Sequence, residues 1–260
     1  MGNEEGRPAR TAFDVTDRVV FITGAGRGIG RGIAEVLAHA GADVALNALT
    51  ADHVERAAKE IAEASGRRVI PFVGDMTDPL SVAATVEAVY AEFVNVDVLV
   101  NGVGDAIGGQ LASIGVDQLE RVLDLNLRAT LLTSRAIGAR FIERRLGKVI
   151  NISSATAARG GAGLTVYVAG KIAVEALTRA LAVEWASFNI TVNCVAPGVF
   201  PDPRAATPLD PGIVERVVKQ VPLGRLGDVH DVGQVVRFLA SSASDYMTGQ
   251  TIFLDGGLTL

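Results

Sequence analysis

The sequence contains little of what disulfide frameworks and metal centres are built from. Cys194 is the single cysteine in 260 residues, which excludes an internal disulfide, and its place in a predicted core strand indicates a buried small apolar residue. The three histidines, His39, His53 and His230, are scattered without a spacing that would place them around a metal ion. We therefore predict that the protein has no catalytic metal.

Clustered positive charge and long apolar runs are also scarce. The net charge is −5, and no basic cluster exceeds Arg144, Arg145 and Lys148, which argues against a nucleic-acid partner. No run approaches the roughly 18 apolar residues that span a bilayer, so we expect no membrane partner. Residues 1–12 are polar and contain no apolar stretch typical of a secretion signal, and we expect them to form a flexible tail. These features favour a cytoplasmic enzyme.

Apolar segments, in contrast, are abundant and regularly spaced. The chain is 49% hydrophobic, and short apolar runs alternate with amphipathic helical patterns without a linker or repeat between them. This alternation predicts a single α/β domain over residues 13–260, a doubly wound Rossmann-type parallel sheet of seven strands with helices on both faces. The predicted strands are 19–22, 44–46, 69–73, 98–100, 149–152, 191–195 and 251–254.

Residues capable of chemistry follow five of these strands. Thr23, Asp75, Asn101, Ser154 and Pro197 all lie at or just beyond predicted carboxyl ends. Ligands of doubly wound sheets bind at that edge. The sequence therefore predicts one site there.

Tyr167 and Lys171 lie four residues apart, which on a helix places a phenol and an ammonium on one face. A neighbouring cation favours the phenolate, so we expect Lys171 to lower the pKa of Tyr167 from about 10 towards the pH at which the enzyme works. Ser154, thirteen residues before Tyr167, would hold a carbonyl or alcohol oxygen beside the phenol. By itself the spacing is a weak signal, because tyrosine and lysine fall at helical spacing by chance in many surface helices.

A glycine turn joins the first predicted strand to a helix. Its glycines, Gly24, Gly28 and Gly30, would let the backbone approach a pyrophosphate, and the free N–H groups of the helix start favour negative charge. Arg27 and Ile29 lie in the same turn. The alternative is a tight strand-helix turn without a ligand.

Thr-Gly-x-x-x-Gly-x-Gly, from Thr23 to Gly30, combined with Ser154, Tyr167 and Lys171, resembles the short-chain dehydrogenase/reductase family from about Val19 to Leu260. The resemblance implies a dinucleotide-dependent oxidoreductase in which hydride passes between nicotinamide and a carbonyl carbon. Tyr167 would be the proton donor or acceptor, Lys171 would also contact the nicotinamide ribose, and Ser154 would orient the substrate oxygen.

The resemblance also implies roles for residues at the other strand ends. Asn126 matches an asparagine that bends a helix and holds a water behind the lysine. Asp75 matches an acid that binds the adenine amino group, although by itself it reads equally well as a cap of the helix beginning at Pro79. The remaining residues implied to contact the dinucleotide are Met76, Asn101, Gly102, Pro197 and Gly198.

Two positions depart from the family pattern. The usual Asn-Asn-Ala-Gly after the fourth strand is replaced by Asn101, Gly102, Val103 and Gly104, which alters cofactor packing. Asp202 stands five residues after Pro197, where the family often has a threonine that contacts the cofactor carboxamide.

The end of the second strand bears on the choice of dinucleotide. An acid there would bind a free ribose 2′-OH and repel a 2′-phosphate, but residues 47–50 read Asn-Ala-Leu-Thr, and Asp43 precedes the strand at its other end. Arg27 would face a 2′-phosphate. We therefore favour NADP(H) over NAD(H).

The resemblance implies a small carbonyl compound or alcohol as the substrate, and four interpretations of the function remain. The segment from Pro222 to Gly257 is similar to 3-oxoacyl-thioester reductases of the family, whereas sugar, polyol and steroid alcohol dehydrogenases share it. A dinucleotide-sensing protein would keep the glycine turn without needing Ser154, Tyr167 and Lys171, and a methyl-donor-dependent transferase would not call for the Tyr/Lys pair. Because the helix that carries Tyr167 is apolar almost all round, we expect a homo-oligomer, with a homotetramer implied by the resemblance.

Overall fold

A computed structural model describes residues 13–202, 204 and 209–260. The predicted flexible tail, residues 1–12, lies outside the described residues. None of the helices in the described ranges is long and apolar enough to cross a membrane.

Seven parallel strands form one sheet in the order β3-β2-β1-β4-β5-β6-β7. The order reverses direction between β1 and β4, and crevices at such reversals are where ligands of these sheets bind. The predicted doubly wound α/β fold is confirmed. The strands are β1 (Val19–Thr23), β2 (Asp43–Ala48), β3 (Val69–Val73), β4 (Val98–Asn101), β5 (Gly147–Ile152), β6 (Ile190–Pro197) and β7 (Thr251–Leu254).

Helices connect the strands and cover both faces of the sheet. One wide π-helical turn, Asp124–Arg128, joins the fourth helix to the fifth. The helices are α1 (Gly28–His39), α2 (Ala51–Ser65), α3 (Pro79–Glu92), α4 (Val116–Leu123), α5 (Ala129–Arg144), α6 (Ala155–Arg159), α7 (Thr165–Trp185), α8 (Pro211–Val218) and α9 (Val229–Ala240).

Successive side chains of each strand point to opposite faces, which divides the core into two layers. Ile22 of β1 belongs to the layer packed under α1, α2 and α9, while its neighbour Phe21 belongs to the layer under α3, α5 and α7. Both side chains are fully buried. Each large apolar side chain buried in this way contributes about 1.5–3 kcal/mol, so the layers hold the strand ends in fixed positions.

Several strands extend beyond their predicted bounds, because polar residues at the ends still pair. The expectation that Asp43 precedes the second strand is wrong: Asp43 begins β2, pairs with Val19 in register, and is held by Arg67 at 2.9 Å. It still lies at the amino end, away from the predicted site. Cys194 is fully buried in β6, as predicted, and burial raises the pKa of its thiol to about 12.

Candidate active site

The turn between β1 and α1 requires glycine at three positions. Gly24 and Gly28 have φ angles of +67° and +57°, a region that side chains disfavour. A Cβ on Gly30 would lie 2.5 Å from the carbonyl oxygen of Gly24. The turn is therefore as tight as the sequence predicts, and it brings the first N–H groups of α1 to the carboxyl edge of the sheet.

The amino end of α1 already binds an anionic group of the protein itself. The Gly28 N–H donates to Oδ2 of Asp202 at 2.9 Å. A carboxylate at this position shows that the N–H groups face outward and are available to an anion, which is the chemistry a dinucleotide phosphate needs. Ile29 is partly buried against the core, so its backbone is what faces the turn.

The loop after β4 passes close to the glycine turn. A Cβ on Gly102 would lie 2.6 Å from the carbonyl oxygen of Thr23, and one on Gly24 would lie 3.0 Å from Gly102. The Gly102 N–H donates to Oγ1 of Thr23 at 3.1 Å. The departure at Gly102 thus accompanies a very close approach of two backbone segments.

Asn101 does not direct its side chain to the cofactor side. Its amide donates to Oγ of Ser134 on α5 and to Oδ1 of Asn151 on β5, both at 2.9 Å. Asn101 can contact a dinucleotide only through its backbone, and its side chain ties β4 to β5 because Asn101 and Asn151 are partners in register.

Asp75 lies just beyond β3, and one oxygen of its carboxylate is already hydrogen-bonded within the protein. Oδ1 accepts from the N–H and hydroxyl of Thr77, at 2.8 and 2.7 Å. The alternative interpretation of Asp75 as the cap of α3 is wrong, because Asp78 fills that position and accepts from Ser81 N at 2.9 Å. Met76 is buried at 2% exposure, so only its backbone is available to a ligand.

The end of β2 presents a hydroxyl and an imidazole, and residues 47–50 are all uncharged. Thr50 Oγ1 and His53 Nδ1 are 2.9 Å apart. His53 lies against the glycine turn, since a Cβ on Gly26 would be 2.9 Å from His53 Cβ. Arg27 is exposed at the start of α1 and makes no ion pair with the described part of the chain. Thr50 and His53 were missed from sequence, because nothing local marks a residue that packs against a turn about 25 positions earlier.

Ser154 is placed by the end of β5. It is buried at 7% exposure and caps α6 by accepting from Thr156 N at 3.2 Å. Its hydroxyl lies beside the hydroxyl of Tyr167, close enough to lower the pKa of that phenol. The structure therefore brings together the serine and tyrosine that the sequence placed thirteen residues apart.

The expectation that Lys171 lowers the pKa of Tyr167 is wrong for this structure. Burial raises the pKa of the phenol, the neighbouring Ser154 hydroxyl opposes that rise, and the Asp105 carboxylate adds to it. Lys171 Nζ lies 5.9 Å from the centre of the Tyr167 ring and donates instead to the carbonyl oxygen of Ile152 at 3.0 Å. The phenol is therefore held in its protonated form.

Lys171 is buried at 4% exposure, one turn of α7 beyond Tyr167. Loss of hydration lowers the pKa of its amine to about 8. A Cβ on Gly104 would lie 2.7 Å from Nζ, so glycine at this position, where the family pattern also has glycine, leaves room for this amine.

Asn126 lies in the π-helical turn between α4 and α5 and is fully buried. Its amide donates to the carbonyl oxygens of Val122 and Asp105, both at 2.9 Å, and its Oδ1 accepts from Asp105 N at 3.2 Å. The wide turn agrees with the predicted bend. Asn126 thereby fixes Asp105 near Tyr167, a neighbour that was missed from sequence.

Pro197 ends β6, and Gly198 follows at the same edge of the sheet. Gly198 N donates to the Leu254 carbonyl at 2.9 Å, and a Cβ on Gly198 would lie 2.9 Å from Asp255 Cα. The predicted site residues from β1, β4, β5 and β6 therefore share one edge. Within the described ranges, no group of three His, Cys, Asp or Glu side chains is placed to hold a metal ion.

Comparisons with known proteins cover nearly the whole chain. A family model described as enoyl-(acyl carrier protein) reductase matches residues 24–259. The 3-oxoacyl-[acyl-carrier-protein] reductase FabG of Salmonella typhimurium is 35% identical over 241 residues, which are 93% of this chain and 97% of that protein.

Solved structures agree in fold and coverage. A gluconate 5-dehydrogenase from Burkholderia cenocepacia J2315, in complex with NADP and tartrate, has a TM-score of 0.89 at 33% identity, with 95% of this chain and 97% of that chain covered. A short-chain type dehydrogenase/reductase from Mycobacterium marinum has a TM-score of 0.87 at 31% identity, with 95% and 97% covered. The similarity thus includes both the glycine turn and the segment carrying Ser154, Tyr167 and Lys171.

Proposed function

Because this chain belongs to the short-chain dehydrogenase/reductase family, we propose that it interconverts a ketone and a secondary alcohol at Ser154, Tyr167 and Lys171, with NADP(H) as its dinucleotide. The observation that carries the proposal is that the hydroxyls of Ser154 and Tyr167 lie beside each other, with Ser154 lowering the pKa of the phenol, at the sheet edge where the glycine turn also lies. When bound, the dinucleotide supplies or accepts the hydride.

The two hydroxyls act on the substrate oxygen in different ways. Ser154 donates to the carbonyl oxygen and positions it, and in reduction the Tyr167 phenol gives its proton to that oxygen as negative charge develops. A raised pKa suits this direction, because the phenol stays protonated at neutral pH. In oxidation the proton moves from the alcohol to the phenolate.

Lys171 and Asn126 support this pair. Lys171 faces the carboxyl end of β5 through its bond to Ile152, and from there its amine can bind the nicotinamide ribose. With a pKa of about 8 the amine exchanges protons near neutral pH. Asn126 orders the loop at Asp105 and leads a proton path towards solvent.

The end of β2 supports NADP(H). No carboxylate stands among residues 47–50 to bind a free 2′-OH, whereas the exposed Arg27 belongs to the glycine turn, and His53, paired with Thr50, packs against Gly26 of that turn. A guanidinium binds phosphate through charge-assisted hydrogen bonds.

We expect Arg27→Gln to weaken NADPH binding about tenfold to a hundredfold and to leave NADH binding nearly unchanged, because only NADPH carries the 2′-phosphate. Dinucleotide fluorescence titrations give both dissociation constants. Arg140→Gln is the matched control, since it removes one positive charge from a guanidinium already paired with Glu87 on α3. Equal losses for both dinucleotides would reject this role of Arg27.

A 3-oxoacyl thioester is the substrate class that we propose. A cavity of about 220 Å³ beyond Gly198 is bordered mostly by apolar side chains, with Arg225, Asp231, Gln234 and Asp255 also in its wall, and its apolar part suits an acyl chain. The apolar side chains include Phe200, Leu223, Leu226 and Leu254.

A sugar or polyol is the second candidate. Asp105 is exposed and close enough to raise the pKa of Tyr167, and a carboxylate there accepts hydrogen bonds from substrate hydroxyls. The same charge repels an acidic substrate.

A turnover screen separates these classes. Acetoacetyl and longer 3-oxoacyl thioesters, neutral polyols, sugar acids and cyclic ketones are each tested with NADPH and NADH, or with the oxidised forms for alcohols. Thioester reduction alone supports the first class, and polyol oxidation that falls in Asp105→Asn supports the second. Absence of dinucleotide oxidation or reduction with every class would argue against catalysis and favour a dinucleotide-sensing protein.

We propose that a second copy of this chain covers the outer side of α5 and α7. Leu131, Leu177 and Leu181 line a groove of about 310 Å³ between these helices. Val183 of α7 is 82% exposed. Exposed apolar surface on adjacent helices is typical of subunit interfaces, and a homotetramer fits the two-sided apolar pattern of α7.

We expect Leu131→Glu to lower the particle mass from about four chains of 27.0 kDa to two chains or one, because two carboxylates would be buried across a symmetric contact. Light scattering at micromolar concentration measures the mass. Leu80→Glu, on α3 at 81% exposure, is the control for adding charge to an exposed leucine. A monomeric wild type would contradict the proposed assembly.

A further inference from the structure

Asp202 occupies the position where a dinucleotide phosphate would bind. Its Oδ2 accepts from Gly28 N at 2.9 Å, at the first residue of α1, and its Oδ1 accepts from Arg204 N at 2.9 Å. Both oxygens of this carboxylate are therefore engaged by N–H groups. The two residues that it joins are 174 positions apart in the chain.

Arg204 holds the same segment to α1 at a second point. Its guanidinium donates to Glu35 Oε1 at 2.7 Å, about two turns after Gly28. Glu35 is only 13% exposed and also accepts from Arg31 at 3.0 Å and His230 at 2.9 Å. The partner of Arg204 is thus a buried, fixed carboxylate, and the contact at Asp202 is one half of a two-point attachment.

The carboxylate and a phosphate compete for one donor. A single N–H at a helix start cannot serve two anions, and two negative groups at that point repel each other. Binding of a dinucleotide there requires Asp202 to withdraw from Gly28, and that withdrawal opposes binding.

We propose that Asp202 is a built-in competitor for the pyrophosphate of the nicotinamide dinucleotide and limits how tightly this protein holds it. The inference rests on the proposed function only in that the dinucleotide binds at the glycine turn. It identifies Asp202, one of the two departures from the family pattern, as a determinant of cofactor affinity.

The test is the dissociation constant of NADPH, measured by its fluorescence for the wild type, Asp202→Asn and Asp202→Ala. Both variants remove the negative charge and are expected to bind NADPH about tenfold more tightly. Asp210→Asn is the matched control: it removes the same charge from a carboxylate of the same segment, which caps α8 by accepting from Ile213 N at 3.1 Å. Asp210→Asn should bind as the wild type does.

A ligand control isolates the pyrophosphate. Adenosine 2′-monophosphate carries the adenosine end without a pyrophosphate, so its affinity should be the same in the wild type and in Asp202→Asn. Equal or weaker NADPH binding by both Asp202 variants would overturn the inference while leaving the proposed function in place. An equal gain in Asp210→Asn, or with adenosine 2′-monophosphate, would also overturn it. Failure of all proteins to bind NADPH and NADH would instead overturn the proposed function.

Discussion

Replacing Tyr167 with Phe is expected to lower turnover about a hundredfold to ten-thousandfold in both directions, the range that a positioned proton donor contributes. The ring of Tyr167 stays, so the packing of α7 and the dinucleotide turn are unchanged. Only the hydroxyl beside Ser154 is lost. The NADPH dissociation constant should stay within about twofold of the wild type, which separates proton transfer from binding.

Tyr90 provides a matched control for this substitution. It is another partly buried tyrosine, burial raises its pKa to about 12, and its hydroxyl has no hydrogen-bond partner among the described residues. Tyr90→Phe removes an unsatisfied hydroxyl and should leave turnover unchanged. Steady-state rates with the substrate found in the screen, beside fluorescence titration of NADPH, compare the two variants. Near-normal turnover in Tyr167→Phe would remove the phenol from the mechanism.

The sheet was predictable because its strands are buried on both faces and therefore appear as apolar runs. The ends were not, since polar residues such as Asp43 and Asn101 pair with a neighbouring strand as well as apolar ones do. It was harder still to predict from the sequence which side chains face a ligand. Asn101 lies at the predicted edge, yet its amide serves the interior of the sheet.

The positions of the proposed catalytic side chains were predictable where a single helix or strand places them. Helical spacing sets Tyr167 beside Lys171, and the end of β5 sets Ser154. The pKa of Tyr167 was not predictable, because the amount of water removed by folding depends on the whole cleft, and burial outweighs a cation that is bonded elsewhere. The contact from Asp202 to Gly28 joins segments so far apart that no local pattern signals it.

The second large effect is expected at Lys171, because burying its charged amine in the site destabilises the folded protein. Burial lowers the pKa of the amine from 10.5 to about 8. At about 1.4 kcal/mol per pKa unit, a difference of about 2.5 means that the buried ammonium costs the fold on the order of 3 kcal/mol at neutral pH. Lys171→Met removes that cost and forfeits one hydrogen bond to Ile152, about 1 kcal/mol.

We therefore expect Lys171→Met to lose nearly all turnover and yet to be about 2 kcal/mol more stable than the wild type at pH 7. The cost is fully present below the folded pKa of about 8, where both states are protonated, and it disappears above 10.5. Between these values the unfolded chain binds the extra proton, so the wild type gains stability as pH rises and the advantage of the variant shrinks.

Urea denaturation at pH 7 and pH 10, at matched protein concentration and without dinucleotide, measures both effects. Lys219→Met, at the residue that follows α8 and with a side chain 72% exposed, controls for replacing an amine by a thioether and should show neither the gain nor the pH dependence. A variant that is less stable than the wild type at both pH values would mean that contacts other than the bond to Ile152 offset the free-energy cost of burying Lys171. In that case its burial would be a structural feature of α7 rather than a cost accepted for the chemistry at Tyr167.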